Sequence, residues 1–155
     1  MTATFVDGAA TFAPVTAPLR DWLREQTDLT ASLGVDTNGT VQVYAGGIPD
    51  AADLTDGPAV EVHTAGGLNG GTGFDRPFVR LTVLAENASD AEEAAYLLRA
   101  VLDHAHGQTL GPAAAPSTVR LTGADTAPPI WAPDPDSRTP RFVVTTTLTV
   151  QAVSI

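Results

Sequence analysis

Residues 76–104 read RPFVRLTVLAENASDAEEAAYLLRAVLDH, and two periodicities meet inside this one stretch. Up to Ala85 the pattern alternates. Val79, Leu81, Val83 and Ala85 share one face and Phe78, Arg80, Thr82 and Leu84 the other, the period of a strand. From Ser89 the spacing lengthens, and Ala94, Leu97, Leu98, Val101, Leu102 and Ala105 form one apolar stripe of a helix. Ser89 to Glu92 (SDAE) reads as a capping box, with the Ser89 hydroxyl accepting from the Glu92 N–H and the Glu92 carboxylate reaching back. Asp90, Glu92 and Glu93 suit the positive end of the helix dipole, and Gly107 ends the run. Arg99, Asp103 and His106 lie off the stripe. Such a stripe cannot be buried by its own helix, so it needs a sheet to lie on.

The flanking sequence supplies that sheet. TVQVYA sets Val41 and Val43 against Gln42 and Tyr44, a half-buried strand, and AVEVHT sets Val60 and Val62 against Glu61 and His63. STVRLTG is a short strand. The last run, RFVVTTTLTVQAVSI, is the longest: Phe142, Val144, Thr146, Leu148, Val150 and Ala152 alternate with Val143, Thr145, Thr147, Thr149 and Gln151. Upstream, TAPLRDWLREQTDLTASLG predicts a helix over roughly 17–32, with Thr16 as N-cap, Pro18 in the first turn and Gly34 as the stop. The order predicts an α+β fold: a mainly antiparallel sheet of about four to five strands with two helices packed on one face, plus a long hairpin and a proline-rich loop. Residues 16–155 are read as one domain and residues 1–15, which lack periodicity, as an N-terminal arm.

Composition narrows the function classes. With 43 % hydrophobic and 17 % charged residues the 155-residue chain is globular. No apolar run approaches the ~20 residues that span a bilayer, and the first residues carry neither the basic nor the apolar region of a secretory signal. Cysteine is absent, so disulfides and thiolate metal sites are excluded. Eighteen acidic residues face eight basic ones, all arginine, for a net charge of −10. A surface of that sign does not grip nucleic acid, because such grip comes from cations that displace the counterions of phosphate.

AGGLNGGTGFD (65–75) poses the question of a phosphate cradle. A phosphate loop leads from a strand into a helix, whose N-terminal N–H groups hold the anion. Here the run leads from strand to strand, holds no lysine and lacks the G-x-G-x-x-G spacing. It is read as a hairpin with a glycine-rich tip that stays mobile until something holds it. Leu68, Asn69 and Phe74 are its candidate contact residues, with a core position the competing reading for Phe74.

No catalytic, cofactor or metal set emerges. His104 and His106 are two apart, unlike the i, i+4 pair of a zinc helix, and His63 stands alone on a polar strand face. Asp53 with Asp56, and Asp134 with Asp136, lack the ligand density of a calcium loop. There is no G-x-S-x-G elbow. The segment PPIWAPDPDSRTPRF carries more information. Its prolines keep it out of a sheet interior, yet it holds Ile130 and Trp131. The indole is either a lid folded on the core or a group presented to another subunit. Arg138 and Arg141 beside Asp134 and Asp136 allow charge pairing within the loop or across an interface.

From about residue 16 onward these pieces, in this order, resemble the tail terminator proteins of long-tailed (siphovirus-type) bacteriophages, particularly those of actinobacterial phages. The resemblance rests on PLRDWLREQTDLTASLG, a GIPD turn, GPAVEVHTAGG, RPFVRLTVLAENASDAEEAAYLLRAVLDH, and a P-P-x-W-x-P-D-P-D segment running into PRFVVTTTLTVQA. It implies a structural virion protein and not an enzyme, with no cofactor. Its subunits would form a homohexameric ring that caps the head-proximal end of the tail tube, stops polymerisation and provides the head-joining surface. The implied partners are the chain itself, the major tail tube protein and a head-completion or connector protein, with DNA passing through the lumen unbound and no membrane involved. The competing roles are a head–tail connector, a tail tube subunit, and a cytoplasmic small-ligand-binding domain or enzyme.

Overall fold

The computed structural model describes residues 14–69, 74–110 and 119–151. Seven strands and three helices follow in the order α1 (Thr16–Arg24), α2 (Thr27–Thr30), β1 (Val43–Ala45), β2 (Ala59–Asn69), β3 (Phe74–Leu84), α3 (Ala88–Asp103), β4 (Thr109–Leu110), β5 (Val119–Thr126), β6 (Ile130–Trp131) and β7 (Arg141–Gln151). The strands form one sheet in the order β1-β2-β3-β7-β5-β4, with β6 also on β7. All pairings are antiparallel except β1 with β2. The α+β class and the antiparallel character follow the sequence expectation. The strand count exceeds it, because β4 and β6 are two-residue strands too short to show a period.

Register places the apolar residues of neighbouring strands in rows. Val60 lies opposite Val83, which lies opposite Phe142; Val62 lies opposite Leu81, which lies opposite Val144. These rows face the helices, and α3 contributes Ala91, Ala94, Ala95, Leu98 and Leu102 to the same buried cluster. Burying each leucine fully contributes about 1.5–3 kcal/mol, and α1 and α2 add Leu19, Leu23 and Leu29 to the same cluster, so apolar burial holds both helical segments on the sheet. Two buried hydroxyls in this layer, Thr126 and Thr146, satisfy one another at 2.9 Å.

Several local expectations change. The predicted 17–32 helix is two helices, because a continued α1 would turn Gln26 and Thr27 toward the core. The chain breaks at Gln26 (ψ 100°), whose side-chain amide donates to the Trp22 carbonyl at 3.0 Å, and the turn re-aims Leu29 inward. Thr16 is not the N-cap: Val15 is, and the Thr16 hydroxyl instead meets that of Thr64 on β2 at 2.7 Å. The α3 cap is Asn87 rather than Ser89. Asn87 Oδ1 accepts from the Asp90 N–H at 2.9 Å, and its amide donates to the Asp90 carboxylate at 2.7 Å. α3 ends at Asp103, before Gly107, and the ring Nδ1 of His104 sits 2.8 Å from the Ala100 carbonyl.

The TVQVYA strand is not half-buried. Gln42 is fully buried and its amide donates to the carbonyls of Asp53 and Gly57 while its Oε1 accepts from the Asp53 N–H. One side chain thereby clamps the 53–58 turn against the β1 edge. Tyr44 is also buried; it donates to Asp36 at 3.0 Å, and burial followed by that hydrogen bond pushes its phenol up to about 12.

Asn87→Ala is expected to lower unfolding free energy by about 1 kcal/mol, whereas Ser89→Ala shifts it by less than about 0.5 kcal/mol. Urea denaturation followed by circular dichroism separates the two, and equal losses would return the cap to Ser89.

Candidate assembly interface

Strand alternation assigns each side chain to the helical face or to the open face of the sheet. On β3 the open-face residues are Phe74, Arg76, Phe78, Arg80, Thr82 and Leu84; their cross-strand neighbours include Leu68, His63 and Glu61 on β2 and Gln151, Thr147, Thr145 and Val143 on β7. Among the described residues no helix covers this face; α1 and α3 pack on the other. Leu68 is 56 % exposed and Phe74 38 %. The competing core reading of Phe74 therefore fails. Phe74 is the first described residue of β3, paired with Gln151.

AGGLNGGTGFD is strand for most of its length rather than loop. β2 continues through Asn69 and β3 resumes at Phe74, so the mobile-tip expectation lies on residues 70–73, outside the described residues. A bulge between Thr64 and Gly67 sets the hairpin's path. Gly66 occupies φ +94°, and a Cβ on Gly67 would stand 2.7 Å from the Arg76 carbonyl oxygen, so both positions require glycine.

The proline-rich segment is likewise more ordered than a loop. Ile130 pairs with Val143 and Trp131 with Phe142, on the edge of β7 beyond the end of β5, where a segment bounded by prolines can still join a sheet. Ile130 thus joins the open face, at 61 % exposure. Trp131 falls on the helical side, its ring 5.1 Å from that of Phe142 and tilted 59°, yet 48 % of it remains exposed. It is neither a closed lid nor a free indole: one side is anchored and the other is displayed.

The connecting turn is held by Asp134. Its Oδ1 accepts the N–H groups of Asp136 (2.9 Å) and Ser137 (3.0 Å), its own N–H donates to the Thr139 carbonyl, and its carbonyl accepts from the Arg138 N–H. Arg141 Nη1 lies 3.7 Å from the carboxylate, and Arg141 Nε donates to the Ala132 carbonyl at 2.7 Å. The Ser137 and then the Asp136 amide hold the Asp134 carboxyl below its ordinary value, with Arg141 adding a smaller attraction. Of the two predicted charge pairs, only Asp134–Arg141 forms within the chain among the described residues; Asp136 and Arg138 are exposed. Arg138 sits at φ +57°, a left-handed position that strains any residue carrying a Cβ.

Charge divides by layer. Residues 16–30 and 86–103, the helices with their flanks, carry eight carboxylates against three arginines, and residues 34–58 carry four carboxylates and no base. Residues 59–84 and 119–151, the sheet and its hairpins, carry five of each. Two features escaped the sequence reading. Tyr96 is half exposed on α3, four residues after Glu92 and off the apolar stripe. A groove of about 320 Å³ runs between α2 and α3, lined by Gln26, Asp28, Leu97, Ala100, Val101 and His104. A second cavity of similar volume is lined by Asp56, Asp90 and Glu93 among others. Among the described residues no group of three or more His, Asp or Glu is placed to hold a metal ion, and no helix is long and apolar enough to cross a membrane.

No protein-family model matches this chain, and no curated protein matches it either. Among solved structures it is similar to a chain of the virion of a native gene transfer agent particle, with a TM-score of 0.60 and 19 % identity over 89 % of this chain and 95 % of that one. At that identity the likeness is one of fold, and it runs nearly end to end in both chains.

Because Asp134 has a lowered folded pKa, its contribution is complete above the ordinary aspartate value of about 3.9 and is lost as pH falls through the lower folded value. The Asp136 and Ser137 amide resonances are expected to titrate below that ordinary value, and Asp134→Asn to abolish the titration. A midpoint at or above it would contradict the turn geometry.

Proposed function

We propose that this chain is a structural subunit of a phage-type virion, a tail terminator whose copies form a hexameric ring on the head-proximal end of the tail tube. The ring stops tube growth and offers the head-joining surface. The observation that carries this reading is the near end-to-end fold similarity to a chain of a gene transfer agent virion. It agrees with the sequence resemblance to tail terminators and with a surface built for contact rather than chemistry.

On this reading residues 16–155 form the ring domain and residues 1–15 an arm. Leu68, Asn69 and Phe74 on one hairpin, and Ile130, Trp131, Asp134, Asp136, Arg138 and Arg141 on the other, serve subunit or tube contacts. Half-exposed aromatic and branched residues on preordered hairpins suit that role, since little side-chain freedom remains to be lost on binding. The partners are further copies of the chain, the major tail tube protein and a head-completion protein. The work is done by shape, so no cofactor and no catalytic group are assigned. The acidic helical layer lets DNA pass without adhering. A connector or tube-subunit role is the runner-up, separated by polymerisation behaviour: a tube subunit stacks on itself indefinitely.

Electron microscopy of tail tubes grown from the tube protein tests the reading. Added chain is expected to arrest growth and leave a ring at one end of each tube; self-polymerisation into long tubes, or no effect on growth, would overturn it. Trp131→Ala is expected to cost the isolated subunit only about 1 kcal/mol while reducing tube capping severely. Unfolding of that variant would instead make Trp131 a core residue.

A further inference from the structure

We infer that neighbouring copies meet head to tail, the open-face patch of Leu68, Phe74, Arg76 and Phe78 on one copy seating in the α2–α3 groove of the next. The inference rests on the ring reading for its biological setting, but the two surfaces stand on their own. Leu68 and Arg76 are cross-strand partners, and Phe74 and Phe78 flank Arg76 along the same face of β3. Among the described residues Arg76 and the nearby Arg80 make no ion pair. An arginine beside exposed Leu68 and Phe74 and half-buried Phe78 has the composition of an interface hot spot.

The groove supplies the opposite. Leu97, Ala100 and Val101 line it with Gln26, Asp28 and His104, so Asp28 is its one lining carboxylate, and Glu93 lies one turn before Leu97 on α3. No arginine lines it. Its volume, about 320 Å³, sits at the small end of ligand cavities and suits one or two large side chains rather than an extended segment. Desolvating Arg76 against Asp28 provides a charge partner that it lacks among the described residues of its own chain.

Symmetry argues against the alternative of two open faces meeting. Such a contact is isologous, so it closes on itself as a dimer and leaves both grooves uncovered; the open face also carries Glu61 and Asp125 beside its arginines. Patch and groove lie on opposite sides of the sheet, so each copy keeps one of each free after a single contact. Such a heterologous joint propagates and, when its rotation closes, yields a ring.

The chain has no cysteine, which makes the contact directly readable. Gln151→Cys, beside Phe74 on the open face, and Ala100→Cys, both exposed positions, are mixed as full-length proteins under mild oxidation with Arg76 intact. The mixed disulfide dimer is expected to form at least about tenfold faster than either homodimer, through the effective concentration of the docked pair. Equal rates, or a dominant Gln151→Cys homodimer, would overturn the inference. A charge swap reads the same joint without thiols: Arg76→Glu or Asp28→Arg alone weakens association, and both in one chain restores it. No restoration would count against the joint. A preferred mixed dimer with uncapped tubes would sink the ring reading alone; capped tubes with no preference would sink this contact alone.

Discussion

The pairing of β3 with β7 is the constraint on which the rest depends. It occupies the sheet centre and joins residues more than sixty positions apart along most of both strands. One register does two jobs. It lines up Val79, Leu81 and Val83 with Thr146, Val144 and Phe142 toward the helices, and thereby commits Phe78, Arg80 and Thr82 to the opposite side. A slip of one residue would reverse both faces at once, exposing the apolar rows and burying two arginines. The apolar core and the open face are therefore one decision, not two.

That decision also sorts charge. The helices and the 34–58 segment hold nearly all of the net negative charge, while the strands and hairpins balance. Carboxylates at the outer face of α3 cost little, since water solvates them and the helix N-terminus favours Asp90. On the open face a surplus of carboxylates would stand in cross-strand rows and repel. The result is a molecule with a strongly acidic side and a charge-balanced side. Overall acidity, read from composition alone, conceals that asymmetry.

Much of the fold was legible because alternation and helical spacing are local signals. β3, α3 and β7 are long enough to show them; the core residues of β3 and β7 are ones their periods select, while on α3 Ala91 and Ala95 are buried in addition and the predicted Leu97 and Val101 only partly so. What escaped depends on remote partners. Gln42 looks like a surface residue until the 53–58 turn folds over it and satisfies its amide. Ile130 and Trp131 form a strand only because β7 continues past the end of β5 and offers them an edge. Ser89 satisfies the capping-box spacing, but Asn87 two residues earlier holds an extended φ/ψ and does the work. The site was legible in part: exposure of Leu68, Phe74, Ile130 and Trp131 follows from apolar residues placed beside turns, whereas the role of Arg76 needs the register across β2 and the groove needs two helices side by side.

Order in the hairpins bears on assembly even where no partner is touched. A flexible loop carrying Trp131 would lose backbone and side-chain freedom on docking, at about 1–2 kcal/mol per fixed residue. Here the chain has met that cost during folding: Asp134 gathers two amides, Arg141 ties Ala132 to β7, and Phe142 fixes one side of the indole. The strained φ of Arg138 is what closes this turn in so few residues. On the proposed ring reading, Asp134 would act on association through the shape it imposes, and Ile130 and Trp131 through contact. A surface prepared in this way needs fewer contacts per joint to hold, which is what the proposed ring asks of a subunit flanked by two copies of itself.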